Sequence, residues 1–454
     1  MTALVVPLTS PEAADAERFG PKAANLARLG HAGLPIPGGF CVGADAYRRQ
    51  LSFAHLDAHA RRIDAPEPGE ARRAALAVKL GLFDGAILPE LLDALSEARR
   101  ALIAATGAPL VVRSSALVED RFDASFAGQF ESYLGLETEE EFVMAVRSCW
   151  AALWATRVLR YMATHDASPA DTAMAILVQP LIAARAAGGG LSRTHDGDMV
   201  LTATPGLGAS IAQGEVVPDR FVLTRDGALR YASPGRAAHL DGCAHGARSA
   251  RRGRVEAPAL NGAEALALGA LLRKAEAVIG APVEIEWALD EGGIKLLQAR
   301  PLHLDSAAAS SSFDDELWRR HPGLNGHPAG VGWGSGRACV VSCECELARV
   351  GPGDILVTKV AGPSLAQVLP RVAGVVAELG GSTSHLASLA RERGIPAVFG
   401  VLDATQRIPD GVQIAVDGVA GIVRWMPDGR PPCESEREAR SFDRPPSGDP
   451  VSLP

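Results

Sequence analysis

The sequence predicts a multidomain protein of mixed α/β and α+β class. Three observations lead to this prediction. A chain of 454 residues is long enough for two to four domains. Residues 20–302 alternate helical and strand-like patterns, and residues 321–427 contain short strands rich in β-branched side chains. Between them, residues 303–320 are rich in Ala and Ser and begin without an apolar period. We therefore expect a first domain at 1–302, a flexible linker at 303–320, a second domain at 321–427 and a disordered tail at 428–454.

Composition excludes several kinds of partner. The net charge is −8 and aromatic residues make up 5% of the chain, which argues against binding to duplex or single-stranded nucleic acid. The first residues lack a basic segment followed by an apolar one, and no apolar run approaches the ~20 residues that span a bilayer. The seven cysteines are scattered and odd in number, so no disulfide framework is expected. The sequence predicts a cytoplasmic protein without nucleic-acid or membrane partners.

The run "RVAGVVAELGGSTSHLASLARERGIPAVFG" indicates strand, turn, helix, turn and strand. The glycine pair Gly380–Gly381 suits a turn, and Gly394 suits the end of the helix. Three valines are predicted for the first strand: Val372, Val375 and Val376. The helix cap is expected from one of Ser382, Thr383 and Ser384.

His385 falls in the first turn of this helix. The helix dipole disfavours positive charge there, which favours the neutral and therefore nucleophilic imidazole. A phosphoryl group carried by this histidine would meet free backbone N–H groups. From the spacing alone, a histidine that only caps the turn is an equal alternative, because short patterns mislead often.

A predicted hairpin collects polar side chains on one face. Glu284 and Glu286 alternate with apolar residues, so they share a face ~6.5–7 Å apart. A three-residue loop, Glu291–Gly293, would place Glu286 opposite Gln298 and Glu284 opposite Arg300. Carboxylate and amide oxygens are ligands that Mg²⁺ prefers, completed by water and phosphates. The alternative is a solvated face with cross-strand polar pairs.

Three further residues suggest a nucleotide site. Lys22 follows Pro21, which suits a first helical position, and a cation in the first turn is unfavourable unless an anion binds there. Arg113 ends a predicted strand and precedes two serines, which suits a polyphosphate. Gln179 lies on a predicted buried strand that could line an adenine pocket. Each feature alone is weak, since a solvent-facing lysine or arginine is common.

Several segments resemble one family. "GGSTSHLASLARERGIPAV" looks like the phosphohistidine motif of the phosphoenolpyruvate synthase and pyruvate phosphate dikinase family. "FGPKAANLARLG", "VVRSSALVEDRF" and "EIEWA…LLQARPL" resemble the nucleotide-binding motifs of this family, in the same order along the chain. The resemblance runs from about Phe19 to about Trp425. It implies an ATP-grasp-type nucleotide-binding domain followed by a swivelling phosphohistidine domain, and its relatives include rifampicin phosphotransferase and phenylphosphate synthase.

The resemblance also implies roles for residues. His385 would carry the phosphoryl group, and Thr383 stands where some dikinases have a regulatory threonine. The implied nucleotide-binding residues are Lys22, Arg113, Gln179, Glu286, Gln298 and Arg300, of which Glu286 and Gln298 would also hold Mg²⁺. The chain departs from the family at Ala209, where glutamate is usual, and "AARAAGGGLSRTHDGD" matches only loosely.

The implied function is an ATP-dependent phosphotransferase. The β-phosphoryl of ATP would pass to His385 and then to a small-molecule hydroxyl or enol, with release of AMP, while water or phosphate takes the remaining phosphoryl. The residues after Trp425 are too few for a barrel of ~250 residues, so the acceptor site is expected between the two domains or on a separate subunit. The alternative is a phosphocarrier that delivers the phosphoryl group to a partner protein.

Overall fold

A computed structural model of the chain describes residues 3–64, 67–119, 130, 132–163, 165, 167–236, 258–302 and 318–427. Residues 303–317 of the predicted linker and the whole predicted tail lie outside these residues. At the end of the linker, Trp318 is buried against Ala415 and Met426, so this residue already packs on the second domain.

Helices occur mainly in the first half of the chain. They are α1 (Ala16–His31), α2 (Ala44–Phe53), α3 (Asp57–Arg61), α4 (Pro68–Asp84), α5 (Pro89–Thr106), α6 (Glu139–Ala152), α7 (Thr156–Ala163), α8 (Ala209–Ala212), α9 (Gly262–Ile279), α10 (His385–Glu392) and α11 (Ala404–Arg407). The stretch Glu139–Ala163 is long and apolar enough to cross a membrane by composition, but about half of it is buried in the protein, as is usual for core helices.

The strands form three sheets. They are β1 (Val5–Pro7), β2 (Phe40–Val42), β3 (Leu110–Ala116), β4 (Ser132–Leu136), β5 (Met174–Pro180), β6 (Ala186–Leu191), β7 (Met199–Pro205), β8 (Asp219–Leu223), β9 (Leu229–Ser233), β10 (Val283–Asp290), β11 (Gly293–Pro301), β12 (Gly323–Asn325), β13 (His327–Pro328), β14 (Trp333–Val341), β15 (Ile355–Thr358), β16 (Gly374–Ala377), β17 (Ala397–Phe399), β18 (Gln413–Asp417) and β19 (Ile422–Met426).

The first domain contains two antiparallel sheets. One has the order β1-β2-β5-β3-β4, and its central strand β5 is buried at every position. The other has the order β11-β10-β6-β7-β8-β9. Apolar residues of this second sheet form a core together with Leu26 of α1 and Leu268 of α9. Because strand side chains alternate between faces, polar residues such as Glu286 emerge on the opposite face, toward the other sheet.

The second domain is built on one mixed sheet, in the order β12-β19-β18-β14-β15-β16-β17-β13. Strand β14 joins its two halves: Trp333–Arg337 pairs antiparallel with β18, and Ala338–Val341 pairs parallel with β15. Helix α10 connects the parallel strands β16 and β17. The prediction of strand, turn, helix, turn and strand is confirmed, except that β16 begins at Gly374 and Val372 precedes it.

Candidate active site

A cavity of ≈ 600 Å³ lies between the two sheets of the first domain and the loop before α10 of the second domain. All eight residues that the sequence singles out line this cavity: Lys22, Arg113, Gln179, Glu286, Gln298, Arg300, Thr383 and His385. They come from six different strands or helices and one loop. The fold therefore brings together residues that are up to 363 positions apart in the chain (385 − 22).

The hairpin β10–β11 has the two predicted pairs but not the predicted loop. Glu286 lies opposite Gln298, and Glu284 lies opposite Arg300. However, Asp290 pairs with Gly293, so the turn contains two residues rather than three. The register then shifts at a bulge at Leu297, which restores the predicted pairs nearer the site. A bulge leaves one residue outside the ladder.

The bulge helps to position Arg113. The Nη1 atom of Arg113 donates to the carbonyl oxygen of Leu297 at 3.1 Å, and its Nη2 atom donates to Glu286 Oε2 at 2.5 Å. Burial raises the pKa of the Glu286 carboxyl, but the charge and hydrogen bond of Arg113 outweigh this effect and lower the pKa to about 2. Glu286 is therefore a carboxylate at physiological pH.

Lys22 lies where α1 is interrupted. Gly20 has φ 73° and ψ 157°, so the helix restarts at Pro21 and places Lys22 in a new first turn, as predicted. Its Nζ atom donates to the carbonyl oxygen of Ser114 at 2.7 Å and to Glu119 Oε1 at 3.1 Å. The side chain is thus paired inside the protein, which excludes the alternative of a solvent-facing lysine.

Glu284 joins the two domains through a buried ionic network. Its Oε2 atom accepts hydrogen bonds from Arg300 Nη2 at 3.0 Å and from Arg391 Nη2 of the second domain at 3.1 Å. Ser388 Oγ, also in α10, donates to the same carboxylate at 3.0 Å. Burial raises the pKa of Glu284, but the two arginines lower it below its usual value overall. This network holds α10 against the hairpin.

His385 is the first residue of α10. Ser384 is the cap, because its Oγ atom accepts a hydrogen bond from the backbone N–H of Ala387. Burial lowers the pKa of His385; the charge of Glu286 acts in the opposite direction, and that of Arg300 adds to the lowering. The imidazole is therefore held in its neutral form, as expected for a nucleophile.

Thr383 contacts the first domain directly. Its hydroxyl lies 2.6 Å from the hydroxyl of Thr202 on β7. A Cβ atom added to Gly189 on β6 would lie 2.6 Å from the Cβ atom of Thr383, which is closer than real atoms approach. The loop before α10 therefore fits against bare backbone, and only glycine at this strand position leaves room for it.

The remaining cavity residues bear on nucleotide and metal binding. Gln179 is buried, and its Nε2 atom has no hydrogen-bond partner among the described residues. Ala209 begins α8 and lines the cavity, so no carboxylate stands at that position. Within the described part of the chain, no three His, Cys, Asp or Glu side chains converge as a metal site. Glu286 and Gln298, which both line the cavity, carry oxygen atoms of the kind that Mg²⁺ prefers as ligands.

Sequence reasoning missed some residues of the site. It assigned no role to Glu119, the counter-ion of Lys22, or to Arg391, which reaches Glu284 from the second domain. A signal for Gly189 was present, because three consecutive glycines in a strand indicate close approach of another backbone or ligand. Contacts between domains had no comparable signal.

Two family models match the chain. The model described as "Pyruvate phosphate dikinase, AMP/ATP-binding domain" matches residues 16–320, which is more than half of the chain. The model described as "PEP-utilising enzyme, mobile domain" matches residues 350–421, which contain His385.

Curated relatives agree with these matches. The chain is 32% identical to a phosphoenolpyruvate synthase of Aeropyrum pernix, over 89% of this chain and 56% of the relative. It is 30% identical to a phosphoenolpyruvate synthase of Pseudomonas aeruginosa, over 94% of this chain and 58% of the relative. It is also 36% identical to the prodigiosin synthesizing transferase PigC of Serratia marcescens, over 66% of this chain and 33% of that protein.

The chain thus spans a little over half the length of the phosphoenolpyruvate synthases it matches. Its two matched regions coincide with the two sides of the cavity, a nucleotide-binding side and a side that contributes His385. From these matches we conclude that the chain belongs to the pyruvate phosphate dikinase family and combines the AMP/ATP-binding domain of that family with the mobile domain of PEP-utilising enzymes.

Proposed function

We propose that the chain is an ATP-dependent phosphotransferase in which an ATP-grasp-type domain binds ATP and a swivelling domain carries the phosphoryl group on His385. The observation that carries this proposal is the position of His385. It lines the same cavity as Lys22, Arg113 and Arg300, three cations that suit a polyphosphate. The names of the matched models, which mention AMP/ATP binding and PEP-utilising enzymes, support the proposal.

In the proposed reaction, a neutral imidazole nitrogen of His385 attacks the β-phosphorus of ATP. A nitrogen–phosphorus bond forms, the bond from β-phosphorus to the α,β-bridging oxygen breaks, and AMP leaves with that oxygen. The terminal phosphoryl passes to water or free phosphate. Negative charge spreads over the phosphoryl oxygens during such a transfer, so catalysis requires mainly positioning and positive charge. Lys22, Arg113 and Arg300 would supply that charge.

Magnesium would be held by Glu286 and Gln298 and would neutralise part of the polyphosphate charge when bound. Because the pKa of Glu286 is about 2, its carboxylate needs no proton loss to act as a ligand. Arg113 already pairs with this carboxylate, so its guanidinium would lie next to phosphates that share the metal ion.

The acceptor of the second transfer is proposed to be a small molecule with a hydroxyl or enol group. A cavity of ≈ 600 Å³ has the size of one small-molecule site, which ATP would fill. His385 would therefore meet the acceptor after the second domain moves away from the nucleotide, either on another surface of this chain or on a separate subunit. In the second case the chain acts as a phosphocarrier.

The test is labelling with ATP that carries ³²P in its β-phosphoryl group. The wild-type chain should become labelled in a bond that is acid-labile and base-stable, with one AMP released per label. The His385→Ala variant should bind ATP and remain unlabelled. A matched control is His59→Ala, an exposed histidine of α3, which should label normally. Equal labelling of the His385→Ala variant would remove this histidine from the mechanism.

A chase distinguishes the two fates of the phosphoryl group. Labelled protein is freed from ATP and incubated with alcohols, phenols and enols as candidate acceptors. Loss of label into one of them supports an enzyme that acts alone. Label that stays on the protein with every acceptor, and leaves when a second subunit is added, supports the phosphocarrier.

A further inference from the structure

A polar row crosses the six-stranded sheet on its cavity face. Residues directly opposite each other on neighbouring strands share a face, and the row runs through Gln298, Glu286, Gly189, Thr202, Arg220 and Ser233. Arg220 lies three strands beyond Glu286, which is about 14 Å at the usual strand spacing. Thr202, between them, contacts Thr383. Arg220 therefore lies beyond that contact, and the described lining of the nucleotide cavity does not include it.

Two buried nitrogen atoms beyond this contact lack partners. Among the described residues, neither Nε of Arg220 nor Nδ1 of His327 has a hydrogen-bond partner, and both atoms are shielded from solvent. Arg220 belongs to β8 of the first domain, whereas His327 belongs to β13 of the second. Unsatisfied buried donors and acceptors are rare in folded proteins and call for an explanation.

The surroundings of these atoms are positive. Burial, together with the charges of Arg220 and Arg236, lowers the pKa of His327 to about 4. Burial also lowers the pKa of Arg220. The nearby carboxylate of Asp219 is engaged elsewhere, since it accepts hydrogen bonds from the backbone N–H groups of Gly235 and Ala259. In the described part of the chain, no carboxylate forms an ion pair with either arginine.

Arg236, which is exposed, and His327 both lie close to Val217, where the domains meet. The backbones of Val217 and Arg236 are bonded to each other, with N···O distances of 3.2 and 2.6 Å. Val217 of the first domain and the His327 ring both lie next to Gly400 of the second domain. A Cβ atom added to Gly400 would lie 3.3 Å from Val217 Cγ1 and 3.6 Å from His327 Nδ1. Backbone N–H of Gly380 also donates to Val216 at 3.0 Å. The cationic cluster is thus anchored to both domains.

We propose that Arg220, Arg236 and His327 form a second oxyanion site, which binds a small phosphate-class anion at the domain interface and outside the nucleotide cavity. Two guanidinium groups suit the tetrahedral oxygens of phosphate, and the imidazole supplies a third contact. An anion held by both domains stabilises the arrangement in which His385 faces the nucleotide cavity, because a ligand shifts a conformational equilibrium toward the state it binds.

The test is a calorimetric titration of inorganic phosphate into the full chain, with the nucleotide cavity first saturated by a non-hydrolysable ATP analogue. The wild type should bind one phosphate. Arg220→Gln should weaken that binding at least 10-fold, because it removes a charge-assisted contact. The control is Arg230→Gln on the neighbouring strand, whose side chain pairs with Asp198, and it should leave the affinity unchanged.

Other outcomes decide against the proposal or refine it. No phosphate binding once the cavity is filled, or equal affinity in wild type and Arg220→Gln, would overturn it. If Arg220→Gln fails to fold, His327→Asn tests the site from the other domain and should weaken phosphate binding as well. Acetate titrated in the same way should bind more weakly than phosphate; tighter binding of acetate would overturn the assignment to phosphate-class anions.

Discussion

The substitution Gly189→Ala should slow phosphoryl transfer to His385 without disturbing ATP binding. The added methyl group would lie 2.6 Å from Thr383 Cβ, 2.8 Å from its Oγ1 and 2.9 Å from its Cγ2. Ordinary contacts between carbon atoms are ~3.5–4.0 Å, so the loop before α10 must retreat by about 1 Å. A misplacement of about 1 Å between reacting groups can reduce a rate ~10²-fold. We expect a loss of that order in the rate of His385 labelling.

The assay is a single-turnover measurement of label transfer from ATP, combined with equilibrium binding of ATP. The nucleotide affinity should stay within about twofold, because the methyl group faces the second domain. Gly262→Ala is the matched control: a Cβ atom there meets nothing within 4 Å, so its labelling rate should equal that of the wild type.

A second variant isolates the steric cause. Thr383→Gly removes all three atoms that the methyl group would meet. In the presence of Thr383→Gly, the Gly189→Ala substitution should therefore have little further effect, which a double-mutant cycle detects as strong coupling. A labelling rate of Gly189→Ala within threefold of the wild type, or additive effects of the two changes, would refute the reasoning.

Three other predictions follow from buried charges. Glu284→Ala leaves two buried guanidinium groups without their shared carboxylate, so it should lower the free energy of unfolding by roughly 3–5 kcal/mol in chemical denaturation. The control Asp45→Ala breaks an exposed ion pair and should lower it by at most about 1 kcal/mol. Similar losses for the two variants would contradict the role of Glu284. Because burial lowers the pKa of His385, the labelling rate should fall on acidification with a midpoint below 6.5, the ordinary value for histidine; a midpoint at or above 6.5 would contradict a neutral buried imidazole. Glu286→Gln should raise the Mg²⁺ concentration needed for half-maximal AMP formation, and an unchanged Mg²⁺ dependence would show that this carboxylate is not a ligand.

For the hairpin of β10 and β11, the sequence predicted the cross-strand residue pairs correctly but not the length of the turn. The polar pairs opposite Glu286 and Glu284 were correct because alternation fixes which side chains share a face. The predicted loop length was wrong, because the prediction assumed a regular hairpin, in which the length of the turn alone determines which residues pair. The bulge at Leu297 shifts the register by one residue, so a two-residue turn gives the pairs that a three-residue turn would give in a regular hairpin. No local pattern in "IKLLQARP" distinguishes a bulged strand from a regular one.

The sequence predicted the secondary structure around His385 in the second domain, but not the contacts of this domain with the first. The spacing around His385 indicated the cap, the helix and its end at Gly394, where φ is 63°. The same pattern could not show that Ser388 and Arg391 reach Glu284. Such contacts depend on how two separately folded units meet, and that information lies in surface shape rather than in periodicity.

The cationic side chains of the cavity are paired with carboxylates of the protein itself. Lys22 holds Glu119, Arg113 holds Glu286, and Arg300 holds a third carboxylate, so each proposed phosphate-binding cation is neutralised before a nucleotide arrives. Entry of a polyphosphate is then an exchange of one anion for another rather than the capture of an anion by bare positive charge. The released carboxylates would add repulsion unless a divalent cation enters with the nucleotide. If the proposed function is correct, such a site should bind the magnesium complex of ATP in preference to free ATP.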